Sequence, residues 1–166
     1  MTKNFGKNEE RTAEYLKKFN REKVLKLLVD SDSPTILDVG ANNGSSLVEF
    51  KKWWPSSKVH CFEPQSECWD ELDDLSNEFT NVRINKFALG NKNDESKEFY
   101  SHDLNTGISG FNKINIESKD SIDLSKLSND SSGLENHKKT INHKRNVQVK
   151  RLDEYIKNDK NLNQID

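Results

Sequence analysis

Three short apolar runs punctuate the first half of the chain: "TILDV" (35–39), "KVHCFE" (58–63) and "NVRINKFAL" (81–89), with a helix-length segment in each gap. No other feature constrains the fold as much. A continuous apolar run, rather than an alternating one, is the pattern of a strand buried on both faces. Strands joined through a helix run parallel, by a right-handed crossover. The first gap predicts a helix from Ser45 to Trp54, stopped by Pro55. In the second, Pro64 closes the strand, and "SECWDELDDLSNEF" (66–79) is amphipathic through Trp69, Leu72, Leu75 and Phe79. The expected architecture is α/β, with a doubly wound, mainly parallel sheet.

The flanking segments are read against that core. Residues 8–29 predict one helix, because Tyr15, Leu16, Phe19, Val24, Leu27 and Leu28 recur at helical spacing before "SDSP" breaks it. After Gly90 the pattern weakens. "KEFYSH" (97–102) predicts a strand, "NVQVKRL" (146–152) another, and "DEYIKND" a short helix. Residues 112–145, rich in Ser, Asp, Asn and Lys, read as a long polar surface insertion. At 166 residues the chain is expected to be a single domain. It divides into an N-terminal helix (1–33), the core (34–111), the insertion (112–145) and a closing strand and helix (146–166).

Composition narrows the function classes. A formal charge of -2 offers no electrostatic case for nucleic acid or an anionic membrane as partner. No apolar run nears the ~18 residues that would span a bilayer. The polar start "MTKNFGKNEERT" lacks a signal-peptide core, so a cytoplasmic location is expected. Cys61 and Cys68 have neither zinc nor redox spacing and read as reduced packing residues. His137 and His143 form no metal pattern either, and no metal site is predicted. His60, inside the second run, reads as a hydrogen-bonded core histidine, Trp53 and Trp54 as packing, and Lys138, Lys139, Lys144 and Arg145 as a solvated basic face.

The turn after the first strand carries the chemistry. In parallel α/β sheets, ligands bind beyond the carboxyl ends of the strands. In "TILDVGANNGSS" Asp38 ends the apolar run, Gly40 and Gly44 allow positive φ, and Asn42 or Asn43 can stand in for a glycine. Gly44 opens the next helix, whose free N–H groups form a partly positive end. The register D-x-G-x-N-x-G fails the dinucleotide fingerprint G-x-G-x-x-G, and a carboxylate there would repel a pyrophosphate. S-adenosylmethionine fits better: Asp38 could serve its ammonium, through water or neighbouring backbone. Glu63, ending the second strand, could accept hydrogen bonds from ribose hydroxyls. That role suits NAD equally, so Glu63 alone does not discriminate. The plain alternative is that both acids are solvated strand ends.

The elements "ILDVGANNGSS", "VHCFEPQSECWDEL", "NVRINKFALGN" and "VQVKRLDEYI", in this order, resemble the FkbM-type methyltransferases over about residues 34–111 and 146–166. The resemblance implies the Rossmann-like class I methyltransferase fold and S-adenosylmethionine-dependent methyl transfer to oxygen, on a hydroxyl of a saccharide or secondary metabolite. It implies that Asp38, Gly40, Ala41, Asn42 and Gly44 line the methionine part, that Glu63 holds the ribose, that Pro64 and Gln65 lie beside the adenosine, and that Ala88 and Leu89 border the adenine. In the family a fourth core strand with an I-D-x-x-G-x-E element follows the late L-D helix. The chain stops at Asp166, about where that strand begins, so an incomplete sheet with an open edge is expected.

An alcohol acceptor needs a base. His102 and Asp103, in "YSHDLNTG", are the local candidates, against the plainer reading of a surface turn. The segment "TGISGF" (106–111) resembles a small-residue, serine-bearing segment of the family, which implies that Ser109 borders the active site. Two rival functions remain: an NAD- or sugar-nucleotide-binding Rossmann-like enzyme, and an inactive truncated fragment.

Overall fold

A computed structural model describes residues 8–102, 106–118, 139–159, 162 and 164–166, with side chains from residue 11 onward. Three parallel strands, β1 (Thr35–Val39), β2 (Lys58–Phe62) and β3 (Val82–Asn85), form one sheet in the order β1-β2-β3. Helix α3 (Ser45–Trp53) joins the first pair, and a 3-10 turn (Ser66–Cys68) running into α4 (Trp69–Glu78) joins the second. The β-α-β-α-β order and the parallel pairing are those expected from the apolar runs, and the architecture is α/β of the Rossmann-like class.

Strand alternation decides which face each residue of β2 serves. Val59 and Cys61 enter the main core with Leu47, Phe50 and Trp54 of the α3 region and Leu72 of α4. The other face of β2 presents His60 and Phe62, and both meet Tyr155 of α5 (Leu152–Asn158). The sheet is therefore covered on both sides, which is why its strands read as unbroken apolar runs. His60 is the hydrogen-bonded core histidine expected: it is buried and its Nδ1 lies 2.6 Å from the Tyr155 hydroxyl. Burial, then the Arg83 charge, hold it below its usual pKa. Cys61 and Cys68 are free and buried, and burial pushes the Cys61 thiol up to about 12.

Four expectations are corrected. The segment 8–29 is two helices, α1 (Asn8–Lys18) and α2 (Arg21–Leu28), because Asn20 starts a new helix by accepting a hydrogen bond from Lys23 N–H at 2.9 Å. The apolar stripe that predicted one helix is largely in solvent: Leu27 is 86% and Leu28 76% exposed, and α2 packs on the core through Leu25 instead. The run 81–89 is two strands. After β3 the chain breaks at Lys86 and Phe87, and β4 (Ala88–Gly90) belongs to a second sheet. That sheet has the order β4-β6-β5, with β5 spanning Asp94–Ser101 and β6 His143–Arg151. β4 runs parallel to β6 and β5 antiparallel to it, so the strands form two sheets rather than one. Finally, β6 begins at His143, inside the stretch assigned to the insertion. Residues 119–138 of that insertion lie outside the described residues.

The described part of the basic cluster lies at the surface as expected, and two of its members are ion-paired there: Lys144 with Glu98 and Arg145 with Glu67. His143 is exposed on β6, while Lys138 and His137 lie outside the described residues. The last residue meets the open edge of the parallel sheet, where Asp166 N–H donates to Thr35 O at 3.1 Å and Thr35 N–H donates to Asp166 Oδ2 at 3.0 Å. No described helix is long and apolar enough to cross a membrane.

Candidate functional site

The turn after β1 folds as its residues dictate. Gly40, Asn42 and Gly44 all take positive φ, at 79°, 50° and 82°. Gly40 N–H and Ala41 N–H both donate to Phe62 O, so the turn stays tied to β2 past the end of β1. Gly44 then starts α3. A Cβ at Gly44 would run into the Leu75 side chain, so the glycine serves both the backbone conformation and the close approach of α4. At Gly40 a Cβ would meet nothing within 4 Å, which leaves that stretch of backbone open to a ligand.

Glu63 sits just past β2 and is 2% exposed, so it is no solvated strand end. Its carboxylate is held by three donors. Asn42 N–H donates to Oε2 at 2.9 Å, and Oε1 accepts from Gln65 N–H at 2.8 Å and Gln65 Nε2 at 3.2 Å. Charge-assisted bonds of this kind let a buried carboxylate persist beside an apolar core. Asn42 reaches further: its Oδ1 accepts from Thr106 Oγ1 at 2.7 Å and from Cys68 Sγ at 3.2 Å. Thr106 O in turn accepts from Gln65 Nε2 at 3.2 Å. A closed ring of hydrogen bonds thus joins the turn after β1, the acid after β2 and the 3-10 turn Thr106–Ile108.

Beside this ring lies a cavity of about 270 Å³. Six residues singled out from the sequence line it: Gly40, Glu63, Pro64, Gln65, Ala88 and Leu89. Ser109, expected at the site's border, lines it too. The remaining wall comes from Val39, Phe62, Phe99, Thr106, Gly107, Gly110 and Phe111. Of these, Thr106, Gly107, Gly110 and Phe111 belong to the "TGISGF" segment that carries Ser109, while Phe99 carried no site motif. They arrive because Tyr100 pairs with Gly110 across an antiparallel bridge, which folds 106–111 back over β5. Phe99 and Phe111 then meet edge to face at 5.5 Å.

Asp38, Ala41, Asn42 and Gly44 do not line this cavity. Ala41 belongs to the main core. Asn42 acts on the cavity through Glu63 and Thr106. Asp38 shares a face of β1 with Ile36, so it looks toward the helices; burial raises its pKa, Arg21 opposes that rise and Glu63 adds to it. Its Oδ2 is buried with no hydrogen-bond partner among the described residues. His102 is buried, with its backbone N–H donating to Ser109 Oγ at 3.1 Å, and it is not among the cavity-lining residues. Asp103 lies outside the described residues. Among those residues no group of three His, Cys, Asp or Glu side chains is arranged to hold a metal ion.

A Rossmann-like α/β domain whose buried acid and glycine-bearing turn flank a cavity at the carboxyl ends of parallel strands defines the class. The model of the FkbM methyltransferase domain matches residues 38–166. The chain belongs to that family and is a methyltransferase by it. Comparison with curated proteins gives no match.

Proposed function

We propose that the chain binds S-adenosylmethionine in the cavity beside Glu63 and directs its methyl group to a hydroxyl oxygen of a saccharide or secondary metabolite, in the cytoplasm. The observation that carries this reading is the buried Glu63 carboxylate, held rigid by Asn42 and Gln65 at the cavity wall. A pre-organised acceptor of this kind suits a ribose, and the family supplies the methyl chemistry.

The residues present fit the donor. The Glu63 carboxylate, buried at the cavity wall, is an acceptor for a ribose hydroxyl. The open backbone at Gly40 admits close approach, and Ala88, Leu89 and Phe99 offer an apolar wall for a base. When bound, the sulfonium supplies an already activated methyl. What remains for this chain is orientation and exclusion of water, and Thr106–Phe111 stands over the cavity to provide both.

Incubation with methyl-labelled donor and a panel of hydroxylated acceptors tests the reading. Label recovered in an alkali-stable ether on one acceptor class supports it. Label on nitrogen or carbon refutes the oxygen assignment, and saturable NAD binding in place of the methyl donor refutes the cofactor.

A further inference from the structure

We propose that the Thr106–Phe111 segment is a strap across the donor cavity and that Thr106 is its latch. The strap opens at the Thr106 end to let the donor in and out, and closes through Thr106 onto Asn42 and Gln65. This inference rests on the methyl-donor reading above and adds how the donor is captured.

The two ends of the segment are held differently. At the far end, backbone hydrogen bonds run both ways between Tyr100 and Gly110, at 2.8 and 2.9 Å. His102 N–H donates to Ser109 Oγ at 3.1 Å, and Phe111 packs edge to face on Phe99. That end is part of the mixed sheet. The mixed sheet is in turn clamped to the parallel-sheet side: Arg145 of β6 donates through Nε to Ser101 Oγ at 3.1 Å and pairs with Glu67 of the 3-10 turn Ser66–Cys68. The near end crosses the cavity by means of Thr106. Its Oγ1 donates to Asn42 Oδ1 at 2.7 Å, and its carbonyl accepts from Gln65 Nε2 at 3.2 Å. Single hydrogen bonds at a half-buried residue break at modest cost. The ladder and the ring pair at the other end do not open without disturbing β5. The segment therefore has an anchored end and a releasable one.

The size of the cavity gives the strap something to do. With Thr106 bonded across it, the space measures about 270 Å³. Sites for ligands of this class run from roughly 300 to 1,000 Å³. A nucleoside with an amino-acid tail thus needs the space to widen. Val39, Phe62, Ala88 and Leu89 come from the strands or their ends and are fixed by the sheets. The strap is the wall free to move.

Thr106 acts through Asn42 and Gln65, which makes it a positioning residue. Both of its bonds join groups of the chain itself, so they need no donor to form. The latch resists entry as well as release, and weakening it should speed both. Loss of a residue that only touched the bound donor would speed release alone.

The test compares Thr106→Val with Thr106→Ser, using labelled S-adenosylhomocysteine as the probe. Valine keeps the branched shape and loses the hydroxyl. Asn42 Oδ1 still accepts from Cys68 Sγ at 3.2 Å, so the substitution strands no acceptor there. Release is followed by chase with excess unlabelled ligand, and association by rapid filtration. In Thr106→Val both rates are expected to rise about fivefold, the loss of one hydrogen bond, so that affinity changes by less than either rate does. Thr106→Ser keeps the hydroxyl and is expected to restore both rates. Should the valine variant fail to fold, Thr106→Ala is expected to show the same pattern. Faster release with unchanged association would make Thr106 a ligand contact and overturn the proposal, as would unchanged rates in both directions. No binding to the unmutated chain would overturn the donor reading, and the latch with it.

Discussion

The parallel sheet has both faces covered, whereas the mixed sheet leaves the first five residues of β5, Asp94–Glu98, exposed. The parallel sheet shares in a core of eight buried residues; the mixed sheet keeps a cluster of four, Ala88, Phe99, Val147 and Val149. The difference divides labour. The first sheet carries the stability and fixes the strand ends from which the acid and the turn project. The second contributes walls, Ala88, Leu89 and Phe99, and folds the 106–111 segment over the cavity. Helix α5 joins the two: it follows β6 directly and sends Tyr155 to His60, Phe62 and Phe87, while Asp159 just beyond it pairs with Arg83 of β3.

Paired truncations break this comparison most sharply. Leu72→Ala, at a fully buried site in the main core, should cost about 3 kcal/mol in urea denaturation, and Val149→Ala in the small cluster about 1 kcal/mol. Equal costs would mean that the mixed sheet is as much a stability element as the parallel one.

The two glycines of the turn give the next contrast. Gly44→Ala meets both a positive φ and the Leu75 side chain, and should cost about 2 kcal/mol; Gly40→Ala meets the φ alone and should cost about 1 kcal/mol. Thermal melts of the two variants side by side check the order.

At the opposite end of the parallel sheet, Lys51 is buried and donates to Ser57 O and Thr80 O, tying together the loops that lead into β2 and β3. Lys51→Met should cost about 1.5 kcal/mol by stranding those carbonyls. Hydrogen exchange should speed up at the start of β2 and β3 and stay unchanged in β6.

The smallest effect is the pH response of the link between the sheets. His60 has its pKa lowered by burial and by Arg83, so the unfolded chain binds the proton more readily than the folded one. Stability from this group is therefore complete above the unfolded value, about 6.5, and is lost as pH falls through it toward the lowered folded value. His60→Gln should flatten the stability profile between about pH 7 and pH 5 relative to the unmutated chain. An identical slope in both would remove His60 from the account.

Much of the first sheet was legible because burial on both faces leaves a simple mark, an apolar run between helix-length gaps. The break between β3 and β4 was not, since "NVRINKFAL" stays apolar across a change of sheet that only hydrogen bonding reveals. The helix break at Asn20 was missed for a related reason: the stripe of Leu16, Leu27 and Leu28 has helical spacing but no partner on the core, so periodicity overstated its role. In the site, Glu63 and the Gly40–Gly44 turn announce themselves through strand ends and residues that tolerate positive φ. Phe99 does not, and "TGISGF" points only to Ser109, because Thr106 and Phe111 reach the cavity by a long-range strand pairing around Tyr100 and Gly110.

The most direct measurement is a calorimetric titration of the chain and of Glu63→Ala with S-adenosylhomocysteine, with NAD as control. The account predicts saturable binding of S-adenosylhomocysteine alone, weakened at least about tenfold in the Glu63 variant. Undiminished affinity in that variant, or NAD bound in its place, would contradict it.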